Sequence, residues 1–432
     1  MCLFAANSIL HRDAIGHISN NPGTIQGVKL DDVINTPKFA ANPFPVYRVL
    51  QENDPVQWSE AWNCWVVTRY DDVRTCLQDA KRFSNVGRIT GMFHRIFDHG
   101  QLAELKPLID HYSHGLINID PPEHTRIRRL LHEVFRPTTI SRYRDFVQTF
   151  VDELLAKTLP TGRLTVVRDL AHPLPVHVIA RLFGVPQTDE PLFIQWSAGI
   201  VEFMQSPTPS IGVCLRSQKA LLDLRAYLRL GINERQLEAR DDLLSLMVHA
   251  RSEGDALTED EILGTAVTIL LGGHETTTRL LTTTLLEFSR HPEQQEKLRQ
   301  NPDMMDTAVE EFLRFAGPFH RDQRVAAVDT EVGGQQIKKG DFILMMLAAA
   351  NRDPRQFPEP DTFDLARTPN RHVAFSFGPH ICLGAPLARL EMSIAVGSIL
   401  AATSRFQVVN ESVDWEFGFL RGPRELELKF GN

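Results

Sequence analysis

The chain has 432 residues, 43% hydrophobic and 23% charged, which is ordinary for a soluble globular protein. A formal net charge of −8 gives no support to nucleic-acid binding, which favours basic patches. The five cysteines, Cys2, Cys64, Cys76, Cys214 and Cys382, make no close pairs, which argues against a zinc site or a disulfide framework. At roughly 150 residues per domain the length suits two or three domains, yet no linker or composition break divides the chain. The opening Met1-Cys-Leu-Phe-Ala-Ala-Asn7 is too short in apolar run for a signal peptide or membrane anchor. The longest apolar stretch, Leu263 to Leu271, is broken by Gly264, Thr265 and Thr268. A cytoplasmic location with reduced thiols is expected.

Val56 to Trp58 and Cys64 to Thr68 predict a hairpin, apolar and β-branched around a Ser-Glu turn. Asp71 is placed to cap a short helix with Val73, Cys76 and Leu77 on one side. Residues 84–118 lack a clean period and mix Gly87, Gly91, Gly100 and Gly115 with apolar residues. Loops this long are uncommon unless functional, so a binding loop is expected there. From 120 to about 300 helical periodicity dominates. Asp120-Pro-Pro-Glu123 is a helix start with a cap, prolines in the first turn and an acid at the third position. Thr258-Glu-Asp-Glu261 is a capping box, and with no proline before Pro292 its helix is expected to run ~30 residues, or roughly 45 Å. Another helix is expected over about 304–315. Val332-Gly-Gly-Gln-Gln-Ile-Lys-Lys-Gly340 predicts a hairpin and Phe342 to Met346 a strand. Asn351 to Arg371 reads as an irregular but ordered coil, and Leu426, Leu428 and Phe430 alternate as a last strand. The fold class is mainly α with a minor β region.

Cys382 stands in Phe375-Ser-Phe-Gly378-Pro-His380-Ile-Cys382-Leu-Gly384, and Pro386 opens a long apolar-periodic stretch. Glycines let a bulky planar group lie close to the chain. A cysteine just upstream of a helix start has its thiolate favoured by amide N–H groups and the helix dipole. A thiolate held open towards a flat cofactor is what a haem iron with a cysteine axial ligand requires. A bare Gly-x-Cys-x-Gly also fits a buried cysteine in a turn, or a nucleophile that would need a partner such as His380. No Cys-x-x-Cys-His occurs, which excludes the usual covalent haem attachment.

Gly272-Gly273-His274-Glu275-Thr276-Thr277 falls inside the long predicted helix. Two interior glycines cost about 1 kcal/mol each relative to alanine, which points to a ligand at the backbone or a break in helix hydrogen bonding. Glu275 and Thr276, an acid beside an alcohol, suit proton relay through ordered water. Glycines placed for helix packing, with Glu275 in a surface salt bridge, account for the same residues. Glu311-Phe-Leu-Arg314 puts a carboxylate and a guanidinium on one helix face, a pairing common on surface helices.

Taken together, these segments resemble the cytochrome P-450 family. The cysteine loop is similar to the family's Phe-x-x-Gly-x-His/Arg-x-Cys-x-Gly, with Ser376 where glycine is usual. Gly272 to Thr277 resembles Ala/Gly-Gly-x-Asp/Glu-Thr-Thr of its long central helix, and Glu311 to Arg314 its Glu-x-x-Arg. Asp120-Pro-Pro-Glu-His-Thr-Arg126 completes four motifs in family order. The resemblance runs from about Asn42 to Phe430 and takes the form of the soluble bacterial branch.

The resemblance implies an extension over 1–41, partly irregular, then a single triangular-prism domain over 42–432. Haem would lie between the long central helix and the region of the cysteine loop and last helix. It implies non-covalent haem b with Cys382 as iron ligand, and Phe375, Gly378, Gly384, Gly272 and Gly273 at the cofactor. His124, Arg128, Arg324 and His380 match positions that contact the haem propionates. Thr276 and Glu275 are implied as catalytic, and Arg367 as third partner of a buried Glu311–Arg314 pair. The implied reaction is monooxygenation by O2, a hydroxylation or epoxidation of a mainly apolar small organic substrate. Electrons would come from NAD(P)H through a separate ferredoxin- or flavodoxin-type donor and its reductase. Arg126, Arg128 and Arg129 form a basic stretch that suits either donor docking or a solvated helix face. A monomer without membrane anchor is expected. A peroxide-driven peroxygenase or a non-redox haem-thiolate isomerase shares the loop but usually departs from the acid–alcohol motif. A haem-based sensor would need an output domain, of which the sequence has no sign. Pocket candidates are Ile89, Met92, Phe93, Phe203, Met204, Phe319, Phe417 and Phe419, for which core packing is an equal account.

Overall fold

The computed structural model describes residues 30–34, 36–205, 209–418 and 420–431, without the side chains of Val201, Met204 and Gln205. Its axis is the helix Glu259–Arg290, 32 residues and about 48 Å long. The capping box forms as expected. The Thr258 hydroxyl accepts from the Glu261 N–H at 3.2 Å, and the Glu261 carboxylate accepts from the Thr258 N–H at 2.8 Å. Threonine is a poor helix former because its branched side chain loses χ1 freedom. Here its hydroxyls are satisfied within the helix: Thr268, Thr278 and Thr282 donate to the carbonyls of Gly264, His274 and Thr278 at 2.8, 3.1 and 2.7 Å.

Helices Pro173–Leu182, Met305–Ala316 and Ala385–Ala402 pack on this axis. The last is long and apolar enough, by length and composition, to cross a membrane. It is nevertheless a core helix, with Leu387, Leu390, Ile394 and Ile399 buried in the main hydrophobic cluster.

A five-stranded mixed sheet runs in the order Val56–Ser59, Cys64–Val67, Phe342–Met345, Asp322–Ala326, Phe83–Ser84. The expected first hairpin pairs Val56 with Val67 and Ser59 with Cys64. Its second strand lies parallel to Phe342–Met345. Side chains alternate along a strand, so Asp322 and Arg324 share one face. Gly333 and Gly334, at φ 54° and 83°, close the separate hairpin Thr330–Val332 with Gln335–Ile337.

Several local expectations are corrected. Residues 84–118 are helical rather than a loop: Arg88–Ile96, His99–Glu104 and Lys106–Ser113 precede a 3-10 turn at Leu116–Asn118. The missed signal was Asp98-His-Gly-Gln101, a capping box in which each side chain bonds the other's backbone N–H. Asp71 lies inside the first turn of Tyr70–Gln78, and the Tyr70 N–H donates instead to Asp353 at 2.9 Å. Asp120 turns back to accept from the Ser84 hydroxyl and the Asn85 N–H, so Glu123–Leu131 starts without a side-chain cap. Leu30–Val33 and Pro37–Ala41 form short helices whose Leu30 and Phe39 are buried beside Tyr47 and Phe342. The folded body therefore begins before residue 42.

Glu311 and Arg314, 0% and 2% exposed, sit beneath the coil of 351–371. The guanidinium donates to both Glu311 oxygens at 2.7 Å, and to the carbonyls of Asn351, Pro360 and Thr362. Glu311 also accepts from the Asp364 N–H at 3.0 Å and from Asn370 Nδ2 at 3.1 Å, with Arg367 at 3.3 Å. A coil without helix or strand needs its backbone groups satisfied elsewhere, and this pair supplies them. Removing one partner strands a buried charge, so Glu311→Ala is expected to cost about 3–5 kcal/mol. Thermal melting, or the yield of folded protein, measures the loss. A Glu311→Ala protein that melts like the wild type would contradict it.

Candidate active site

The segment from Phe375 to Gly384 leads out of the coil into Ala385–Ala402. The Cys382 N–H donates to the Phe375 carbonyl at 2.8 Å and closes the loop. Ser376 and Gly378 have φ of 63° and 73°. The left-handed backbone at 376 is the reason glycine suits this position, and it leaves Ser376 under mild strain. Gly378 is more constrained. A Cβ there would lie 2.8 Å from the Gln78 Cα and 2.9 Å from the Leu77 carbonyl oxygen, so the loop docks on Tyr70–Gln78 only through glycine. The atom nearest a Cβ on Gly384 would be the Cys382 sulfur, at 3.9 Å.

Burial is the largest influence on Cys382 and pushes its thiol up. The N–H groups of Gly384 and Ala385 and the cations Arg128 and Arg389 act the other way without prevailing. The amide groups at the helix start favour the thiolate against this burial, and a cation at the sulfur would favour it further. Cys382 is exposed by area although burial dominates its chemistry, which places it in a recess inside the protein.

In the central helix the two glycines differ. A Cβ on Gly272 would meet nothing within 4 Å, whereas one on Gly273 would lie 2.7 Å from Ile179 Cδ1. Gly273 thus serves packing against Pro173–Leu182, and only Gly272 borders open space. The helix does not break here, and the Thr276 hydroxyl donates to the Gly272 carbonyl. Glu275 is not in a surface salt bridge: its side chain is 17% exposed and lies 3.6 Å from Arg279, whose stronger partner is Glu416 at 2.6 Å. Below Thr277, Glu391 of the last helix is buried with one oxygen unpartnered. Burial pushes its carboxyl up to about 8 against a hydrogen bond from Thr277.

His124 and Arg128 of Glu123–Leu131, Arg324 of the sheet and His380 of the loop come together. The rings of His124 and His380 are 4.0 Å apart. Burial pushes His124 down to about 4, helped by Arg128, and His380 down to about 2, helped by His124, Arg324 and Arg88. Burial thus disfavours the charged form of both imidazoles. Two residues of this cluster were missed in the sequence. Asp322 bridges Arg324 at 2.9 Å and Arg88 at 3.1 Å. Asp322 was within reach of the strand's two-residue period from Arg324, while Arg88 was hidden in the segment taken for a loop. Both ring nitrogens of His124, His380 Nε2, Arg324 Nη2 and Arg88 Nε have no partner. Buried donors left without acceptors are costly, and the carboxylates in reach, Asp322 and more distantly Asp120, leave these guanidinium nitrogens and the imidazole N–H groups unmatched. The complement of this cluster is an anion with several acceptor atoms. Haem, a flat ring with two carboxylates and an iron that takes a cysteine thiolate, fits the residues present.

Two arginines of the basic stretch have carboxylate partners near the surface. Arg126 pairs with Asp255 and Glu261, Arg129 pairs with Glu253, and Arg128 lies near Cys382. Among the pocket candidates, Phe93 and Phe203 are buried with ring centroids 6.1 Å apart, and Phe417 packs on Phe39 and His320. Core packing accounts for these three. Ile89, Met92 and Phe319 are half-buried at cluster edges. Phe419 and the Met204 side chain lie outside the described residues.

Between the ordinary carboxyl value of 4.5 and about 8 the folded state holds a proton on Glu391 that the unfolded state has lost. The stability this group contributes is therefore full below 4.5 and is lost as pH rises through about 8. Glu391→Gln is expected to lose less stability than the wild type between these limits, by up to a few kcal/mol. Melting curves at the two ends of the range measure this, and parallel losses would contradict it. Ser376→Gly is expected to be neutral or to stabilise by up to about 1 kcal/mol, since it relieves the left-handed strain.

Residues 77–430 match the family described as Cytochrome P450. The polyketide biosynthesis cytochrome P450 PksS of Bacillus subtilis is 34% identical over 403 residues, covering 90% of this chain and 96% of that protein. Its solved structure superposes with a TM-score of 0.82, covering 92% of this chain and 99% of that one. The cytochrome P450 monooxygenase PikC of Streptomyces venezuelae is 36% identical over 369 residues, 84% of each chain. The structure of CYP109E1 from Bacillus megaterium in complex with corticosterone is 30% identical with a TM-score of 0.80, covering 91% of this chain and 99% of that one.

Proposed function

The chain belongs to the cytochrome P450 family as a monooxygenase, and we propose that it oxidises a bulky, mainly apolar organic substrate by hydroxylation or epoxidation. The half-buried apolar side chains Ile89 and Met92 support such a guest, as do relatives named for polyketide biosynthesis and crystallised with a steroid. Electrons come from NAD(P)H through a separate ferredoxin- or flavodoxin-type donor with its reductase. The enzyme is a cytoplasmic monomer with one catalytic domain. Arg126 and Arg129 of the basic stretch have carboxylate partners, while Arg128 is left to the Cys382 side of the site.

The observation that carries the reading is the cluster of unpartnered donors around Asp322, adjoining the loop of Cys382. Haem held there with a thiolate ligand supplies the redox chemistry that activates O2. Cys382 is the ligand, and His124, Arg128, Arg324 and His380 hold the propionates. Phe375, Gly378 and Gly384 would shape the loop that holds haem, and Gly272 would leave room for it beside the central helix. The family reaction consumes two electrons and two protons per O2, one oxygen atom entering the substrate and the other leaving as water. Thr276 and Glu275 handle the protons: the Glu275 carboxylate accepts them and the Thr276 hydroxyl orders the water that passes them on. Arg279 holds the Glu275 carboxylate in place.

Thr276→Ala is expected to keep haem content and substrate binding and to lose coupling. With a surrogate electron donor, product per NAD(P)H consumed falls several-fold while hydrogen peroxide rises. Some substrates carry a hydroxyl that can stand in for the threonine, so the ratio is measured on several. Unchanged coupling across all of them would remove Thr276 from the proton path.

A further inference from the structure

The sequence His172-Pro173-Leu-Pro175 dictates an unusual crossing where helix Pro173–Leu182 meets the central helix. Pro173 and Pro175 have no N–H, so the carbonyls of Asp169 and Ala171 lose their usual helical donors. The chain responds with a π-turn over Val167–Ala171, in which the His172 N–H reaches back to the Val167 carbonyl at 2.9 Å. The Ala171 carbonyl is satisfied from the central helix, where the buried Thr278 hydroxyl donates to it at 2.9 Å. This bond pins His172 against the turn that carries His274 and Glu275. The two imidazole rings meet edge to face at 4.5 Å. A ring nitrogen of His172, one of His274 and a Glu275 oxygen all lie within 4.8 Å of one another.

Two histidines and a glutamate form a metal-ligand set, but the charges speak against a cation. Arg279 already stands 3.6 Å from Glu275, fixed by Glu416 and the Pro423 carbonyl at 2.6 Å each. The arrangement suits proton movement better. Arg279 is too basic to release a proton. His274 is 1% exposed, its Nδ1 3.5 Å from the Ser197 hydroxyl, and it is sealed from solvent. His172 is half-buried and less enclosed than His274.

We propose that His172 is the proton-entry residue for Glu275, taking protons from bulk water and passing them across one bridging water to the Glu275 carboxylate. The inference rests on the reading of Glu275 and Thr276 given above. A gap of up to 4.8 Å is what a single water spans with two hydrogen bonds of ~2.8 Å. For each proton delivered, one N–H bond of the imidazolium breaks and one carboxyl O–H forms. His172 returns to neutral and is reprotonated from solvent, and no electron moves. Its surroundings suit a donor that does not hold its proton. Burial lowers its pKa, Glu275 raises it, and Arg279 and His177 lower it again. The charged and titratable groups that face it are His274, Glu275 and Arg279 on the central helix, with Glu416 beyond Arg279. On its own helix stands His177, which faces Glu190 at 3.5 Å.

Two measurements on the haem-loaded protein test this. In the first, the reduced CO form labelled with 13C-histidine is titrated by NMR, with the His172 resonance assigned by its loss in a His172 variant. Glu275→Gln should lower the His172 pKa by about half a unit or more, because a nearby carboxylate is removed. An unmoved pKa would overturn the inference without any activity assay. In the second, His172→Phe should retain haem content and substrate-induced spectral change. Product per NAD(P)H should fall several-fold, and its dependence on pH between about 6 and 8 should flatten. If His172→Phe matches the wild type in both while Thr276→Ala is uncoupled, His172 is not the entry and the reading of Thr276 stands. If Thr276→Ala and Glu275→Gln are both fully coupled, that reading falls and the entry residue falls with it.

Discussion

The site is organised by buried cations and N–H donors gathered around Asp322, with Asp120 as a more distant carboxylate acting on Arg88 and His124. Asp322 lies between Arg88 and Arg324, and the imidazoles of His124 and His380 meet tilted, 4.0 Å apart. Cations and N–H donors taken out of water need partners, and the partners among the described residues do not suffice. Four separate parts of the chain converge to make this cluster: the helix after Gly87, the helix after Pro122, one sheet strand and the cysteine loop. An arrangement this unfavourable in isolation is understandable when an anionic group completes it. Haem held there would also bring a cation to Cys382, whose thiol burial raises against the nearby amides and arginines.

The remaining structure holds these pieces in register. Gly378 lets the loop sit on Tyr70–Gln78, and the Glu311–Arg314 pair fixes the coil from which the loop emerges. Gly273 lets the central helix press against Ile179, while Gly272, one residue earlier, borders open space. Two adjacent glycines thus answer two different demands, one from packing and one from the site. Thr278 joins the two helices through a carbonyl that Pro175 cannot serve, so a local backbone defect becomes a tertiary contact.

Features set by neighbouring residues were legible in the sequence. The Thr258–Glu261 box, the Gly333-Gly334 turn and the alternating last strand depend on local chemistry and formed where expected. Features set by distant residues were not. Asp71 and Asp120 have the composition of caps, yet Asp353 serves one helix start and Ser84 draws away the other acid. For Arg126, Arg128 and Arg129, which suit either donor docking or a solvated face, the sequence could not show the ion pairs of Arg126 and Arg129, because Asp255, Glu261 and Glu253 lie more than a hundred residues on. Arg88 joined the site through a helix whose glycines disguised its period. The family motifs marked the cysteine loop and the central helix. The anion-shaped need of the cluster emerged only when its unpartnered atoms could be seen together.

The central claim is that this cluster and Cys382 together hold haem through a thiolate. The absorption spectrum of the reduced protein under CO tests it most directly. The account predicts a strongly red-shifted Soret band for the wild type, and its absence in Cys382→Ser protein that still binds haem. A Cys382→Ser protein that retained the band would mean that another residue ligates the iron, and would contradict the assignment.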